Sequence, residues 1–467
     1  MISFLRKVFL ETEQVTKTTF PQLLLQHAKQ RPQAPALREK EYGIWQTMNW
    51  ADLARMVEHL ACGLHQAGLH RGEHLIVVGA NRPRLYATML AAQSLGAIPI
   101  PLYQDAVAAE CVFPINNAEV RFAVVEDQEQ VDKMLEVREQ SPQLQHIFYD
   151  DPRGLRNYTE DGLGSLDELI AAGQVFAQQH PQFFHTEAEK AVTDDVAAMF
   201  FTSGTTGNPK GVLYSHRSTL LHTLMELAPD TFGISSNETL LLIVPMFHAN
   251  AWGMPYAAAM VGAKLVFPGQ HLDGESVFNL MKQERVTFSQ GVPTVWMMLF
   301  QYLDANPQLD PKSLGVKRIG IGGAALARGM LERFEQQFGA EVVQGWGMTE
   351  TSPIGVISKL LPKHANVPSE DLIKTKLKQG RGVWGVDLKI VDENGQALPW
   401  DGVAFGHLHV RGPWIASGYF RREGGSVLDD EGYFPTGDVA TIDPDGYLQI
   451  TDRSKDVIKS GGEWIGS

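Results

Sequence analysis

Between two apolar runs, Val196–Phe201 and Gly211–Tyr214, the chain reads Thr202-Ser203-Gly204-Thr205-Thr206-Gly207-Asn208-Pro209-Lys210. The hydroxyls of Thr202, Ser203, Thr205 and Thr206 can donate to phosphate oxygens. Gly204, Gly207 and Gly211 let the backbone turn tightly and aim N–H groups inward. Lys210 adds a mobile cation. Together these groups can grip an oligophosphate. The nucleotide loop written G-x-x-x-x-G-K-[ST] is a different device. Pro209 stands where that loop needs its second glycine, and Gly211, not a hydroxyl residue, follows Lys210. The flanking apolar runs also predict a loop from strand to strand rather than from strand to helix.

A second glycine cluster, Gly320-Ile-Gly-Gly-Ala-Ala325, follows a strand-like run and precedes an expected helix over Ala327–Phe338. Read as G-x-G-x-x-A it imitates a dinucleotide fingerprint, with Glu341 at a suitable distance. That reading leaves the hydroxyl loop without a role.

Positioning these groups takes strands and helices, and the first half alternates between their patterns. Trp50–Ala67 is expected as an amphipathic helix, with Leu53, Met56, Leu60 and Leu64 on one face. Leu75–Gly79 and Ala97–Leu102 are expected strands and Pro83–Leu95 a helix. This alternation predicts parallel sheet covered by helices. In the middle, Leu240–Val244, Lys264–Phe267 and Thr287–Gln290 are expected strands, with helices over Ser276–Glu284 and Thr294–Ala305. The last third turns β-rich. Leu388–Val391 and His407–Val410 are separated by the hairpin-type turn Asn394-Gly395. Tyr447–Ile450 follows the turn Asp443-Pro-Asp-Gly446.

Composition limits what such a chain can be. Its 467 residues are 44% hydrophobic and 20% charged, enough for a full core without staples. The only two cysteines, Cys62 and Cys111, exclude a disulfide scaffold and suit a reducing, cytoplasmic setting. A net charge of −14 without a Lys/Arg cluster argues against nucleic acid as partner. The longest apolar run, Tyr86–Tyr103, contains Gln93, Ser94, Pro99 and Pro101, so no transmembrane segment is expected. The first residues lack the pattern of a secretory signal.

Four ordered motifs from about Phe20 to Ser467 resemble the adenylate-forming acyl-CoA synthetases and ligases, above all those for medium- and long-chain fatty acids. The hydroxyl loop is similar to the family's pyrophosphate grip. Gln344-Gly-Trp-Gly-Met-Thr-Glu350 is similar to its adenine and magnesium motif. Tyr433-Phe-Pro-Thr-Gly-Asp438 is similar to its ribose motif, and Asp452–Trp464 to its hinge. The resemblance implies an α/β large domain of two α/β subdomains plus a distorted β-barrel. It would span residues 1–452, with a β-rich part at about 385–452. Residues 453–467 would be the hinge and opening of a lid domain that is missing here, along with its lysine. It further implies ATP, Mg2+, coenzyme A and a fatty acid as small-molecule ligands, and a homodimer.

By the same resemblance, Thr202 and Glu350 hold the metal, Lys210 and Ser203–Gly207 the pyrophosphate, and Thr349 the α-phosphate. Gly323, Ala324 and Ala325 wall the adenine and Trp346 stacks on it, within the stretch Gln344, Gly345, Gly347 and Met348. Many relatives have Tyr where Trp346 stands. Asp438 would accept from the ribose, while Arg453, Lys455 and Lys459 contact nucleotide or steer the hinge. The run Val244-Pro-Met-Phe-His-Ala-Asn-Ala-Trp252 is similar to the segment that gates an apolar acyl tunnel. His248, Ala249, Trp252, Gly291 and Trp464 would face the acid, although a lone histidine beside apolar residues is more often packed in the core. The expected reaction is ATP-dependent formation of acyl-adenylate, then transfer to coenzyme A, the second step being impaired without the lid. An adenylate-binding fragment with little turnover, or an adenylating enzyme for another carboxylate, remains the alternative.

Overall fold

The computed structural model describes residues 18–202, 207–453, 458–460 and 463–465. The chain forms two compact units. One runs to Leu220 and includes Pro245–Gln270; the other comprises Leu221–Val244 and the chain from His271 onward.

Strands are numbered along the chain. The first unit holds β1 (Pro35–Glu41), β2 (Ile44–Asn49), β3 (His74–Val78), β4 (Ile98–Leu102), β5 (Phe122–Val125), β6 (His146–Tyr149), β7 (Leu163–Ser165), β8 (Val196–Phe201) and β9 (Gly211–Ser215). Beyond β10 (Thr239–Leu241) of the second unit, it regains the chain with β11 (Lys264–Phe267). Strands in the order β4-β3-β5-β6-β7 make an all-parallel sheet, as the alternation of helix and strand predicts. Its central strands are nearly unbroken apolar runs because both faces are covered; every residue of β5 is buried. Asn49 caps the helix Trp50–Gln66, its side chain accepting the Asp52 N–H at 2.8 Å. Leu53, Val57, Leu60 and Leu64 form its buried stripe, with Val57 in the place expected for Met56. Pro83 opens the helix Pro83–Ser94, where its missing N–H costs nothing. Antiparallel pairing of β8 with β9 ends at Phe201 opposite Gly211. The hydroxyl loop is therefore a strand-to-strand connection.

In the second unit, β10 is followed by β12 (Phe288–Gly291), β13 (Arg318–Ile321), β14 (Glu341–Gly347), β15 (Ile354–Ile357) and β16 (Arg381–Gly382). They lie in the order β16-β15-β14-β13-β12-β10. From β10 to β14 the pairing is parallel, and β14 changes partner midway. Glu341–Gln344 pairs with β13, while Gly345–Gly347 pairs antiparallel with β15. The expected strand Leu240–Val244 stops at Leu241. The expected helix over Ala327–Phe338 is α-helical only from Arg328 to Arg333. It ends in a π turn, Phe334–Phe338, stopped by left-handed Gly339.

The β-rich last third is an antiparallel sheet of β17 (Asp387–Val391), β18 (Phe405–Arg411), β19 (Phe434–Ile442) and β20 (Leu448–Arg453). Here Asn394-Gly395 does not join β17 to β18. The Asp392 carboxylate accepts from the N–H groups of Asn394 and Gln396, closing a smaller turn that bridges Val391 to Ala397. The chain travels on to His407 before pairing with β17. A last backbone hairpin pairs β21 (Ile458–Ser460) with β22 (Glu463–Ile465). Cys62 and Cys111 are buried free thiols. Among the described residues no helix is long and apolar enough to cross a membrane.

Candidate active site

In the first unit, Thr202 and Lys210 close the neck of the hydroxyl loop. The Thr202 N–H donates to the Lys210 carbonyl at 2.9 Å, and the Lys210 N–H donates to Thr202 Oγ1 at 3.1 Å. Gly207 adopts φ 115°, which L side chains rarely reach, with open space around it; the backbone angle is what requires glycine here. Ser203, Gly204, Thr205 and Thr206 lie outside the described residues.

The run from Pro245 is tied to the end of β3 by Asn81, whose Oδ1 accepts the Met246 N–H at 2.9 Å. Beside Asn81, the buried Glu126 carboxylate accepts from the Ala80 N–H at 2.6 Å and from Arg82 at 2.8 Å. This is a rigid charge-assisted anchor. His248 is solvent-exposed, not packed in the core, and partial desolvation lowers its pKa. Trp252 is buried, its ring 6.3 Å from the His248 ring.

Between them the backbone does something no periodicity forecasts. Ala249, Asn250, Ala251 and Trp252 all have φ between 44° and 53°, a left-handed turn ended by Gly253 at 82°. Such residues each pay ~1–2 kcal/mol for this conformation, and strain of this kind concentrates at functional sites. Both amide atoms of Asn250 are buried without a partner.

In the second unit, the candidate nucleotide residues leave the C-terminal ends of neighbouring parallel strands, where open α/β sheets bind ligands. Gly323, Ala324 and Ala325 follow β13 and are exposed, with Gly323 at φ 74°. Gln344 pairs with Ile321 at the point where β14 changes partner, and its Oε1 is buried without a partner. On β12, the Gln290 Nε2 is likewise buried and unmet, its side chain lying over Gly320. Gly291 seats the Trp296 ring, which a Cβ would approach to 3.0 Å.

Trp346 is held from two sides. Its indole N–H donates to Asp438 Oδ2 at 2.9 Å. Its ring covers Gly355 so closely that a Cβ there would lie 2.6 Å from it. Gly347 admits the Pro353 carbonyl, 1.7 Å from where a Cβ would stand. Thr349 and Glu350 follow in a single 3-10 turn, Thr349–Thr351, with Met348 before it. Glu350 is buried, its Oε1 accepting from the Tyr419 hydroxyl at 2.7 Å and its carbonyl from the Ala416 N–H at 2.8 Å. Burial, then the Glu350 charge, drives the Tyr419 pKa far up, so the phenol keeps its proton for this bond.

Tyr419 and Asn81 carried no motif signal; Tyr419 sits 69 residues from the carboxylate it holds. Lys455 lies outside the described residues, and for Arg453, Lys459 and Trp464 only the backbone is described.

Comparison with known proteins places this geometry. The pattern of the AMP-binding enzyme family matches residues 24–420. The chain is 39% identical over 422 residues to a 3-methylmercaptopropionyl-CoA ligase of Ruegeria lacuscaerulensis, covering 90% of this chain and 75% of that one. It is 37% identical over 416 residues to a medium-chain-fatty-acid–CoA ligase of Ectopseudomonas oleovorans, covering 89% and 74%. The anthranilate CoA ligase AuaEII, solved with anthranoyl-AMP, shares the fold at TM-score 0.82 and 21% identity, over 97% of this chain and 81% of that one.

Proposed function

The chain belongs to the AMP-binding enzyme family and is a CoA ligase of that family, and we propose that its acid substrate is of medium or long chain. Enzymes of this kind use ATP, Mg2+ and coenzyme A. A carboxylate is a poor electrophile at neutral pH. Its oxygen therefore first attacks the α-phosphorus of ATP, and pyrophosphate leaves. The coenzyme A thiol then attacks the acyl carbon; a C–S bond forms, the C–O bond to AMP breaks, and the thiol proton goes to solvent.

In this reading Asp438 accepts from the ribose hydroxyls, and Trp346 fixes that carboxylate while offering adenine a face. The small residues Gly323, Ala324 and Ala325 admit the flat ring. Gln344 Oε1, buried and unmet, is an acceptor for an amino group of the base. Thr349 donates to the α-phosphate, and the hydroxyl loop with Lys210 grips the β- and γ-phosphates. Glu350 suits magnesium, which takes one or two carboxylates together with substrate phosphates. The metal supplies Lewis-acid polarisation of the phosphate when bound. His248, Ala249, Trp252 and Gly291 serve the acid.

One observation carries the reading: Trp346 and Asp438, 92 residues apart and assigned by resemblance to base and ribose, are bonded to each other. ATP–pyrophosphate exchange over acids of increasing length tests it. An apolar tunnel contributes ~0.8 kcal/mol per methylene, roughly a fourfold fall in KM per added carbon until the tunnel is full. A flat response to length, or a preference for amino acids, would remove the fatty-acid assignment.

A further inference from the structure

The helix His216–Leu227 turns polar residues inward. Thr219, His222, Thr223 and Glu226 stand at i, i+3, i+4 and i+7, and none is more than 1% exposed. A buried helix stripe at this spacing is ordinarily apolar. The Thr219 hydroxyl donates to the Ser215 carbonyl at 2.8 Å. His222 and Glu226 are different. His222 Nε2 accepts the Ile354 N–H at 3.2 Å, so the proton of the neutral ring is on Nδ1. That Nδ1 and both oxygens of Glu226 are buried without a partner. Burial lowers the His222 pKa to about 3 and drives that of Glu226 far above the carboxylate range. Burial thus favours the neutral ring and the protonated acid, so the stripe can present an imidazole N–H and a carboxyl group one helical turn apart.

Native interiors rarely leave such groups unmet, and their place in the fold points to what meets them. Ile354, which His222 holds, lies on β15 and pairs with Gly347, two residues before Thr349 and three before Glu350. The Trp414 indole N–H donates to the Ile354 carbonyl at 2.9 Å, and the Trp414 and His222 rings meet edge to face at 6.1 Å. The stripe thus backs onto the segment that carries the reacting-group residues.

We propose that His222 and Glu226 recognise an oxygen function, a hydroxyl or a carbonyl, borne along the chain of the carboxylic-acid substrate; this rests on the ligase reading above. A hydroxyl can accept from His222 Nδ1–H and donate to the Glu226 carbonyl. A ketone oxygen can accept from both donors. Sites built to hydrogen-bond a substrate oxygen discriminate strongly against analogues that lack it, because the buried groups are then left unmet.

The test is ATP–pyrophosphate exchange by the full chain on matched acids of equal length, one plain alkyl and one with a hydroxyl or oxo group along the chain. The wild type is expected to favour the oxygenated acid by at least about tenfold in kcat/KM. E226M should collapse that ratio about tenfold or more without lowering Tm, since it replaces an unmet buried carboxyl by an apolar isostere. E226Q should keep most of the ratio, and H222F should reduce it. A wild type that prefers the alkyl acid of every pair overturns the proposal, whatever the variants do. So does a ratio unmoved in folded E226M and H222F, which would mean ordered water only at the stripe. Exchange with no acid at all would remove the ligase reading itself, a result distinct from an unmoved ratio.

Discussion

Replacing Trp346 by Phe keeps a smaller aromatic face and deletes the indole N–H that reaches Asp438 Oδ2 at 2.9 Å. A hydrogen bond to a charged partner contributes ~1.5–3 kcal/mol. Both residues are half-buried, so water competes and the lower end applies. At about 1–1.5 kcal/mol, Asp438 becomes free to leave its ribose-facing rotamer, and KM for ATP should rise roughly five- to tenfold. KM for the acid should move little, because the bond lies on the nucleotide side. Discrimination between ATP and 2′-deoxy-ATP should shrink as well, since it depends on a fixed carboxylate. Exchange kinetics with varied ATP, together with a thermal melt, read all of this. A folded W346F enzyme with KM for ATP within twofold of wild type would refute the reasoning. A lowered Tm with unchanged KM would mean that the bond serves the fold alone.

Three further outcomes follow from the same geometry. Gly355→Ala puts a Cβ 2.6 Å from the Trp346 ring; displacing the ring should cost ~1–3 kcal/mol in denaturant titration and raise KM for ATP in the same direction as W346F. Tyr419→Phe removes the donor that fixes Glu350 Oε1; the free Mg2+ needed for half-maximal rate should rise roughly three- to tenfold for a loss of ~1 kcal/mol, seen in rate against Mg2+ concentration. Glu39 tests the pH response. Burial raises its pKa from 4.5 to about 7, opposed by Arg82, and its side chain is 13% exposed. The folded state therefore holds this proton more tightly than the unfolded chain. The stability this contributes is complete below 4.5 and lost as pH rises through about 7. Glu39→Gln should gain stability relative to wild type, at most about 2–3 kcal/mol, between denaturation measured at pH 5 and at pH 8; equal differences at the two pH values would contradict it.

Much of this molecule follows from local pattern. Apolar runs flanking Thr202–Lys210 sufficed for a strand-to-strand loop, because the alternatives need a helix start that Gly211–Tyr214 does not supply. Strand-like Leu75–Gly79 and Ala97–Leu102 on either side of helix-like Pro83–Leu95 sufficed for the covered parallel sheet. These features depend on residues within one or two turns of each other, so the order of residues is enough to dictate them.

What the local pattern misjudged or missed depends on partners far along the chain. Asn394-Gly395 reads as the link between two strands, yet the pairing of β17 waits for His407. Nothing in the order of residues singles out Thr219, His222, Thr223 and Glu226, which are turned inward. Tyr419 reaches Glu350 over 69 residues and Trp346 reaches Asp438 over 92. The residue types capable of the chemistry, and their grouping into motifs, were present in the order of amino acids. Which carboxylate is held, by which donor, and which polar atoms are left unmet in the interior were settled only when the packing of strands brought distant segments together. Desolvation and hydrogen-bond geometry are properties of that packing, and no spacing along the chain encodes them alone.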